Sequence, residues 1–392
     1  MPSPDRTFKI DEVTQEGAQY AASKPVPPIS AQMSSSWPHV DPGRYVDSGQ
    51  WQRPAQAPTY AALDLGTNNC RLLIARPAYR DAAPFGFRVV DSFSRIVRLG
   101  EGLTQTGRLC EAAIGRTLDA LAVCHDKMRG RNVTRARLIA TEACRAAANG
   151  AEFVEKVRCA LGLELEIVDR ETEAHLAAAG CASLADTEAE SVLLFDIGGG
   201  SSEVIWLEQG GQADAASLDR DLRERIRFWV SLKLGVVSLA EKFGGIDVSD
   251  AVFESMVGCV TEELGDFIAR ASRLGRCGRF HLLGTSGTVT TVAGVFLNLS
   301  RYDRRRVDGL WMSDADVSET VERLRKMSYR ERMANGCIGP ERADLVLAGC
   351  AILEALRRAF PAERLRIADR GLREGILLQL MGADRAKDRV DL

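Results

Sequence analysis

The chain has 392 residues, with 51 Lys+Arg against 54 Asp+Glu and a formal net charge of −3. At 45% hydrophobic and 27% charged residues, it can bury the cores of one large or two ordinary domains and is too apolar for wholesale disorder. The near balance of charge excludes a protein that coats nucleic acid or membrane through a global positive field, so any polyanion partner must be held by local chemistry.

Residues 1–57 are rich in Pro, Ser, Gln and Ala and keep neither a helical nor a strand period, which predicts a flexible tail. Ordered structure is expected from Thr59. Tyr60–Asp64 reads as a buried strand, Leu65–Asn69 as a turn, Cys70–Ala75 as a second strand and Phe87–Leu99 as a third. Next come a helix over about Gly107–Met128, a strand over Arg137–Ala140 and helices over Thr141–Ala148 and Ala151–Leu161. A strand over Leu165–Val168 and an Ala-rich helix over about Glu171–Leu184 follow. Then the opening pattern returns. Ser191–Asp196 is an apolar strand ending in Asp, Ile197–Ser202 is a Gly-rich turn and Glu203–Leu207 is the next strand. Asp64 and Asp196 are each followed two residues later by Gly, so a strand–Asp–turn–strand unit occurs twice. Two such halves facing each other make a two-lobed molecule with a cleft. The remainder alternates: a helix over Asp250–Leu274, a strand over Phe280–Leu283, and a turn at Gly284–Thr288 that opens a helix through Leu297. Helices are expected over Asp314–Met327, Pro340–Phe360 and Leu372–Met381, with a strand at Leu365–Ala368. The class is α/β.

No run approaches the roughly 20 apolar residues needed to span a bilayer, and Met1–Gln50 lacks a secretory signal. The ten cysteines form no C-x-x-C pair and there are four histidines. This reads as reduced thiols in a cytoplasmic protein, without a metal-ligand cluster.

Three loops suggest an anion-binding cleft. Asp64-Leu65-Gly66-Thr67-Asn68-Asn69 joins small residues to hydroxyl and amide donors. Gly198-Gly199-Gly200-Ser201-Ser202 spends more conformational entropy than a tight turn needs. Gly284-Thr285-Ser286-Gly287-Thr288 opens a helix, whose free N–H groups favour anions. Arg145, in Thr141–Arg145, adds a cation near a strand end. None of these matches a Walker loop or a dinucleotide loop. Asp64 and Asp196 together suit Mg²⁺, which takes a few carboxylates plus phosphate oxygens and waters. Glu171 and Glu173 are candidate bases. Residues two apart on a helix do not share a face, and spacing alone does not choose between them.

The combination Leu63–Asn68, Ala140–Arg145 with Asn149, Glu171–Ala174, Asp196–Glu203 and Gly284–Thr288, in this order, resembles the exopolyphosphatase/guanosine pentaphosphate phosphatase (Ppx/GppA) family. That family belongs to the actin-like, Hsp70-like and sugar-kinase-like ATPase superfamily. The resemblance covers roughly Thr59–Met381 and fits the short, two-domain form. It implies two actin-like (ribonuclease H-like) α/β lobes with an interlobe cleft: lobe I over 58–170, lobe II over 171–370, and a C-terminal helix, about 371–392, packing back on lobe I. It implies Glu173 as the general base, Asp64 and Asp196 beside Mg²⁺ or another divalent cation, and K⁺ as a further candidate ion. Thr67, Asn68, Asn69, Arg145, Gly198, Gly199, Gly200, Ser201, Ser202, Thr285 and Ser286 are the expected phosphate contacts. The implied substrates are inorganic polyphosphate and guanosine pentaphosphate, with a homodimer and no nucleic-acid or membrane partner. An ATP-dependent small-molecule kinase and a non-hydrolytic alarmone or polyphosphate sensor are the alternatives. The first lacks a dedicated nucleoside signal, and the second has no need of Glu173. Two departures stand out: Asn69 replaces a usual Ser, and His175 replaces a common Arg that could touch phosphate. Arg304-Arg305-Arg306, with Arg301 nearby, is the densest basic cluster, a solvated face or a contact for the distal part of a long polyanion.

Overall fold

Two hairpins of the same build organise the molecule. In the first, β1 (Tyr60–Leu65) pairs antiparallel with β2 (Asn69–Pro77), and β2 with β3 (Phe87–Ile96). Parallel strands β4 (Arg135–Ala140) and β5 (Glu166–Ile167) complete a five-stranded sheet of order β3-β2-β1-β4-β5. In the second, β6 (Ser191–Ile197), β7 (Ser202–Glu208) and β8 (Ile226–Leu232) form the antiparallel run. Strand β9 (Phe280–Thr285) adds parallel to β6, and β10 (Trp311–Ser313) and β11 (Arg364–Ala368) extend the sheet to the order β10-β11-β9-β6-β7-β8. The repeated sequence unit is therefore a repeated topology. The computed structural model describes residues 58–78, 86–208, 218–273 and 279–390, all within one compact unit, Pro54–Leu392. The tail expected over 1–57 lies outside the described residues.

Strand alternation sends successive side chains to opposite faces, and both sheets use both faces. Ala61, Leu63 and Leu65 pack with Ile114, Leu121 and Cys124 of the Glu111–Gly130 helix. Tyr60 and Ala62, from the same strand, pack with Leu372, Ile376 and Leu377 of the Leu372–Val390 helix. In the second sheet Leu193 and Phe195 face the Asp250–Glu263, Ser286–Phe296 and Val346–Ala359 helices. Val192 and Leu194 face Ala174, Ala178 and Cys181 of the Arg170–Cys181 helix. That helix also gives Leu176 to the core shared by the first sheet and the C-terminal helix. Small residues allow this double contact: a Cβ on Gly180 or Gly375 would overlap the backbone of Gly371 or Leu176.

Several boundaries differ from expectation. The helix predicted over Asp250–Leu274 is two, Asp250–Glu263 and Gly265–Arg273. The predicted Pro340–Phe360 helix starts at Val346, after a left-handed glycine at Gly339 (φ 74°). The C-terminal helix runs past Met381 to Val390. Strands β8 and β10 and the Val236–Phe243 helix carry half-buried rather than apolar alternation, so hydrophobic period does not announce them. No described helix is long and apolar enough to cross a membrane. The nine described cysteines are all unpaired.

Candidate active site

The two hairpin turns meet in a cleft between the sheets. Thr67, Asn68 and Asn69 of the first turn and Gly198, Gly199, Gly200 and Ser201 of the second line it. The glycines have a steric reason beyond phosphate access. A Cβ on Gly199 would come within 3.0 Å of Thr67 Cβ, and one on Gly200 within 2.5 Å of Thr67 Oγ1, so only glycine lets the loops touch. Asp64 and Asp196 end their strands in the same cleft, joined by Glu173, Thr285 and Ser286. Ser286 begins its helix with φ 81°, a left-handed conformation that non-glycine residues rarely adopt and that clusters at functional sites.

The two candidate glutamates part company. Asp169 caps the Arg170–Cys181 helix by accepting from Thr172 N–H at 2.7 Å. The first turn then aims Glu173 into the cleft, while Glu171 lines a separate cavity with His175, Trp229 and Arg270. Helical spacing of i and i+4 accounts for Glu171 and His175 sharing that face. His175 thus lines that cavity and not the cleft.

Burial raises the Glu173 carboxyl to about 7; Arg145 opposes that rise, and Asp64 and Asp196 add to it. Asp196 is raised to about 6 by burial and then by the Asp64 charge, and Asp64 is raised by burial against the pull of Arg71 and Arg373. Arg145 does not line the cleft as a free cation. Its guanidinium donates to Glu173 Oε2 at 2.9 Å, to Glu142 Oε2 at 2.7 Å and to the Val168 carbonyl at 2.6 Å. Arg170 takes the other Glu142 oxygen at 2.9 Å. In this arrangement Arg145 holds the carboxylate that sequence resemblance names as base.

Four hydroxyls expected on phosphate donate to groups of the protein itself. Ser202 is buried and donates to the Leu234 carbonyl at 2.8 Å, because alternation along β7 turns it away from the face that Ser201 and Glu203 share. Thr285 lines the cleft, yet its hydroxyl donates to the Arg370 carbonyl. Ser286 donates to Asp196, and Ser201 to Glu203. None of Arg301, Arg304, Arg305 and Arg306 lines the cleft. Arg304 is tied to Glu374 at 2.9 Å and to the Asp369 carbonyl.

Sequence reasoning missed a set of charged residues that line the cleft or its apolar extension. Glu203 lies directly across the second hairpin from Asp196, and Arg71 directly across the first from Asp64. Burial, then Glu173 and Asp196, push the Glu203 carboxyl well above its usual range, despite a 2.8 Å hydrogen bond from Ser231. Arg71 and Arg373 line the cleft and Arg342 its extension, and none forms an ion pair with a described acid. These arginines are half-buried, and a partly desolvated cation without an acid partner favours an anion beside it. Counting hairpin register would have found Arg71 and Glu203; Arg342 and Arg373 come from distant segments and leave no local signal.

Among the described residues, no three His, Cys, Asp or Glu converge into a ligand set. The cleft does hold half-buried carboxylates that repel one another, the electrostatic condition a hard cation relieves. Two carboxylates with phosphate oxygens and waters meet the needs of Mg²⁺ better than an all-protein cage.

The chain is similar to exopolyphosphatase 2 of Mycobacterium tuberculosis, at 28% identity over 82% of this chain and 98% of that protein. It is also similar to a guanosine-5'-triphosphate,3'-diphosphate pyrophosphatase of Photobacterium profundum, at 27% identity over 86% of this chain and 62% of that protein. Among solved structures, an Aquifex aeolicus Ppx/GppA family member superposes with a TM-score of 0.64 and 27% identity, covering 83% of this chain and 98% of that one. An exopolyphosphatase from Cytophaga hutchinsonii shares the fold, with a TM-score of 0.72 at 22% identity over 83% of this chain and 98% of that one. The α/β lobes are of the actin-like kind. The model of the Ppx/GppA phosphatase family matches residues 79–384, and the chain belongs to that family of hydrolases.

Proposed function

We propose that this protein releases terminal orthophosphate from inorganic polyphosphate, with Glu173 as the base that activates the attacking water. The observation that carries the reading is Glu173 itself. It is a half-buried carboxylate raised to about 7, held by Arg145 at 2.9 Å and aimed into the cleft between two phosphate-loop candidates. A base with a pKa near the working pH combines availability with driving force. The water's proton goes to Glu173, its oxygen forms a bond to the terminal phosphorus, and the bond from that phosphorus to the bridging oxygen breaks. The shortened chain and orthophosphate leave. Phosphoryl transfer is mostly positioning and charge neutralisation. Backbone N–H groups of the two loops and the cations Arg71 and Arg373 supply it from the protein. Asp64 and Asp196 would hold Mg²⁺, which neutralises phosphate charge when bound.

The relatives support either polyphosphate or the 5'-γ-phosphate of guanosine pentaphosphate as substrate. Polyphosphate is favoured because the match to exopolyphosphatase 2 spans 98% of that protein, while the chain spans 62% of the pyrophosphatase. A homodimer in the cytoplasm completes the proposal.

The test is phosphate release from polyphosphate, guanosine pentaphosphate and ATP in Mg²⁺. The Glu173→Gln variant should still bind polyphosphate and lose about 10²- to 10⁴-fold in kcat. Full activity in that variant would remove Glu173 from the mechanism. Turnover of ATP with a sugar acceptor, and not of polyphosphate, would favour a kinase.

A further inference from the structure

The two phosphate loops are not braced only against each other. Each is fastened, backbone to backbone, to a second segment of its own lobe. On lobe I, Val97 and Arg98 N–H both donate to the Asn68 carbonyl, at 2.9 and 3.0 Å, and Gly100 N–H donates to the Thr67 carbonyl at 2.9 Å. On lobe II, Val236 N–H donates to the Gly198 carbonyl at 3.0 Å and Val237 N–H to the Gly199 carbonyl at 2.8 Å. Val236 starts the Val236–Phe243 helix, which carries Glu241.

These two bracing segments are joined across the seam. Gly102 N–H donates to Glu241 Oε1 at 2.9 Å. Arg98 Nη2 donates to Asp344 Oδ1 and to the Glu341 carbonyl, both at 3.0 Å. Arg98 holds a left-handed backbone with φ 48° to do so. The other oxygen of Glu241 is buried without a partner. Packing does not fill the seam here: a cavity of about 280 Å³ lies between Asn68, Arg98, Glu241 and Asp344. None of the three charged residues lines the catalytic cleft. None belongs to the Arg170–Cys181 or Leu372–Val390 helices, whose packing joins the lobes elsewhere.

We propose that Arg98, Glu241 and Asp344 form a latch that sets the spacing of the two phosphate loops, through a continuous path from Asn68 to Gly199. They are positioning residues for the reaction: they touch no substrate and act through the loops. Polar contacts over an unfilled seam can open and re-form as a unit, which packed apolar surfaces cannot do without losing burial. The kinetic part of this proposal rests on the reading that the cleft cleaves polyphosphate; the structural part does not.

The experiment is a double-mutant cycle on the full chain, read in two ways. Arg98→Gln and Asp344→Asn should each raise KM for polyphosphate about 3- to 10-fold, and the double variant should be no worse than the poorer single. A swapped pair, Arg98→Asp with Asp344→Arg, should recover part of the loss. Hydrogen exchange without substrate should rise together over 66–70 and 198–201 in every latch variant, including Glu241→Ala, which breaks the other contact. Losses that multiply in the double variant, or exchange that rises only in the loop of the mutated lobe, would overturn the latch. If the unaltered protein releases no phosphate from any polyphosphate, the proposed reaction fails, and the exchange measurement still decides the latch.

Discussion

Glu173 shares its guanidinium partner with Glu142, and that sharing sets what pH should do. The carboxyl is raised by burial to about 7, with Arg145 pulling the other way. On the proposed mechanism the deprotonated form is the base, so kcat/KM should rise with pH through an acid limb near 7. Arg145→Gln removes the charge that favours the carboxylate, so the limb should move to higher pH, by about 1 unit or more. A pH–rate profile checks this; a limb that stays in place would mean that the titrating group is another residue. Arg71 makes a second residue-scale prediction. It faces Asp64 across the hairpin, lines the cleft and is paired with no described acid. A charged hydrogen bond is worth about 1.5–3 kcal/mol, so Arg71→Gln should lower kcat/KM for polyphosphate roughly 10- to 100-fold, mostly in KM. An unchanged KM would place the substrate elsewhere.

At the scale of elements, the hairpins explain what sequence could and could not disclose. The aspartates were legible because each closes an apolar strand before a glycine turn. Arg71 and Glu203 are equally local, yet they appear only when register is counted: each lies seven residues after its aspartate and directly opposite it. Strand alternation begins inside the turn motif, so Ser201 and Glu203 line the cleft and Ser202 does not, a division that the motif alone does not disclose. The choice between Glu171 and Glu173 depends on a helix lodged between two lobes, which helical period alone does not orient. Arg342 and Arg373 reach the site through tertiary contact. The loop contact gives its own prediction. Gly200→Ala places a methyl group against Thr67 Oγ1, an overpacking of about 1–3 kcal/mol. Tm should fall by a few degrees and kcat/KM by more than the stability loss explains. A variant of native Tm and rate would show that the loops stand apart in solution.

For the whole molecule, the charge balance and the site point in different directions. A net charge of −3 gives no long-range attraction for a polyanion, whereas the cleft concentrates arginines that lack acid partners. Attraction is therefore short-ranged. KM for polyphosphate should rise with ionic strength while kcat holds nearly constant, since the chain must shed its counterions before the arginines hold it and a closed site is screened much less. A kcat that falls as steeply as affinity would contradict this.

The paired hairpins have one more consequence. They match in trace and differ in charge: seven residues after its aspartate, the first carries Arg71 and the second Glu203. Burial holds Glu203 toward its uncharged form, so the gap carries a cation on the lobe I side with no matching charge opposite. A phosphate between them is drawn toward the first hairpin. On the proposed reaction, a phosphate chain would enter a gap whose two walls differ in charge, so it would be oriented as well as held.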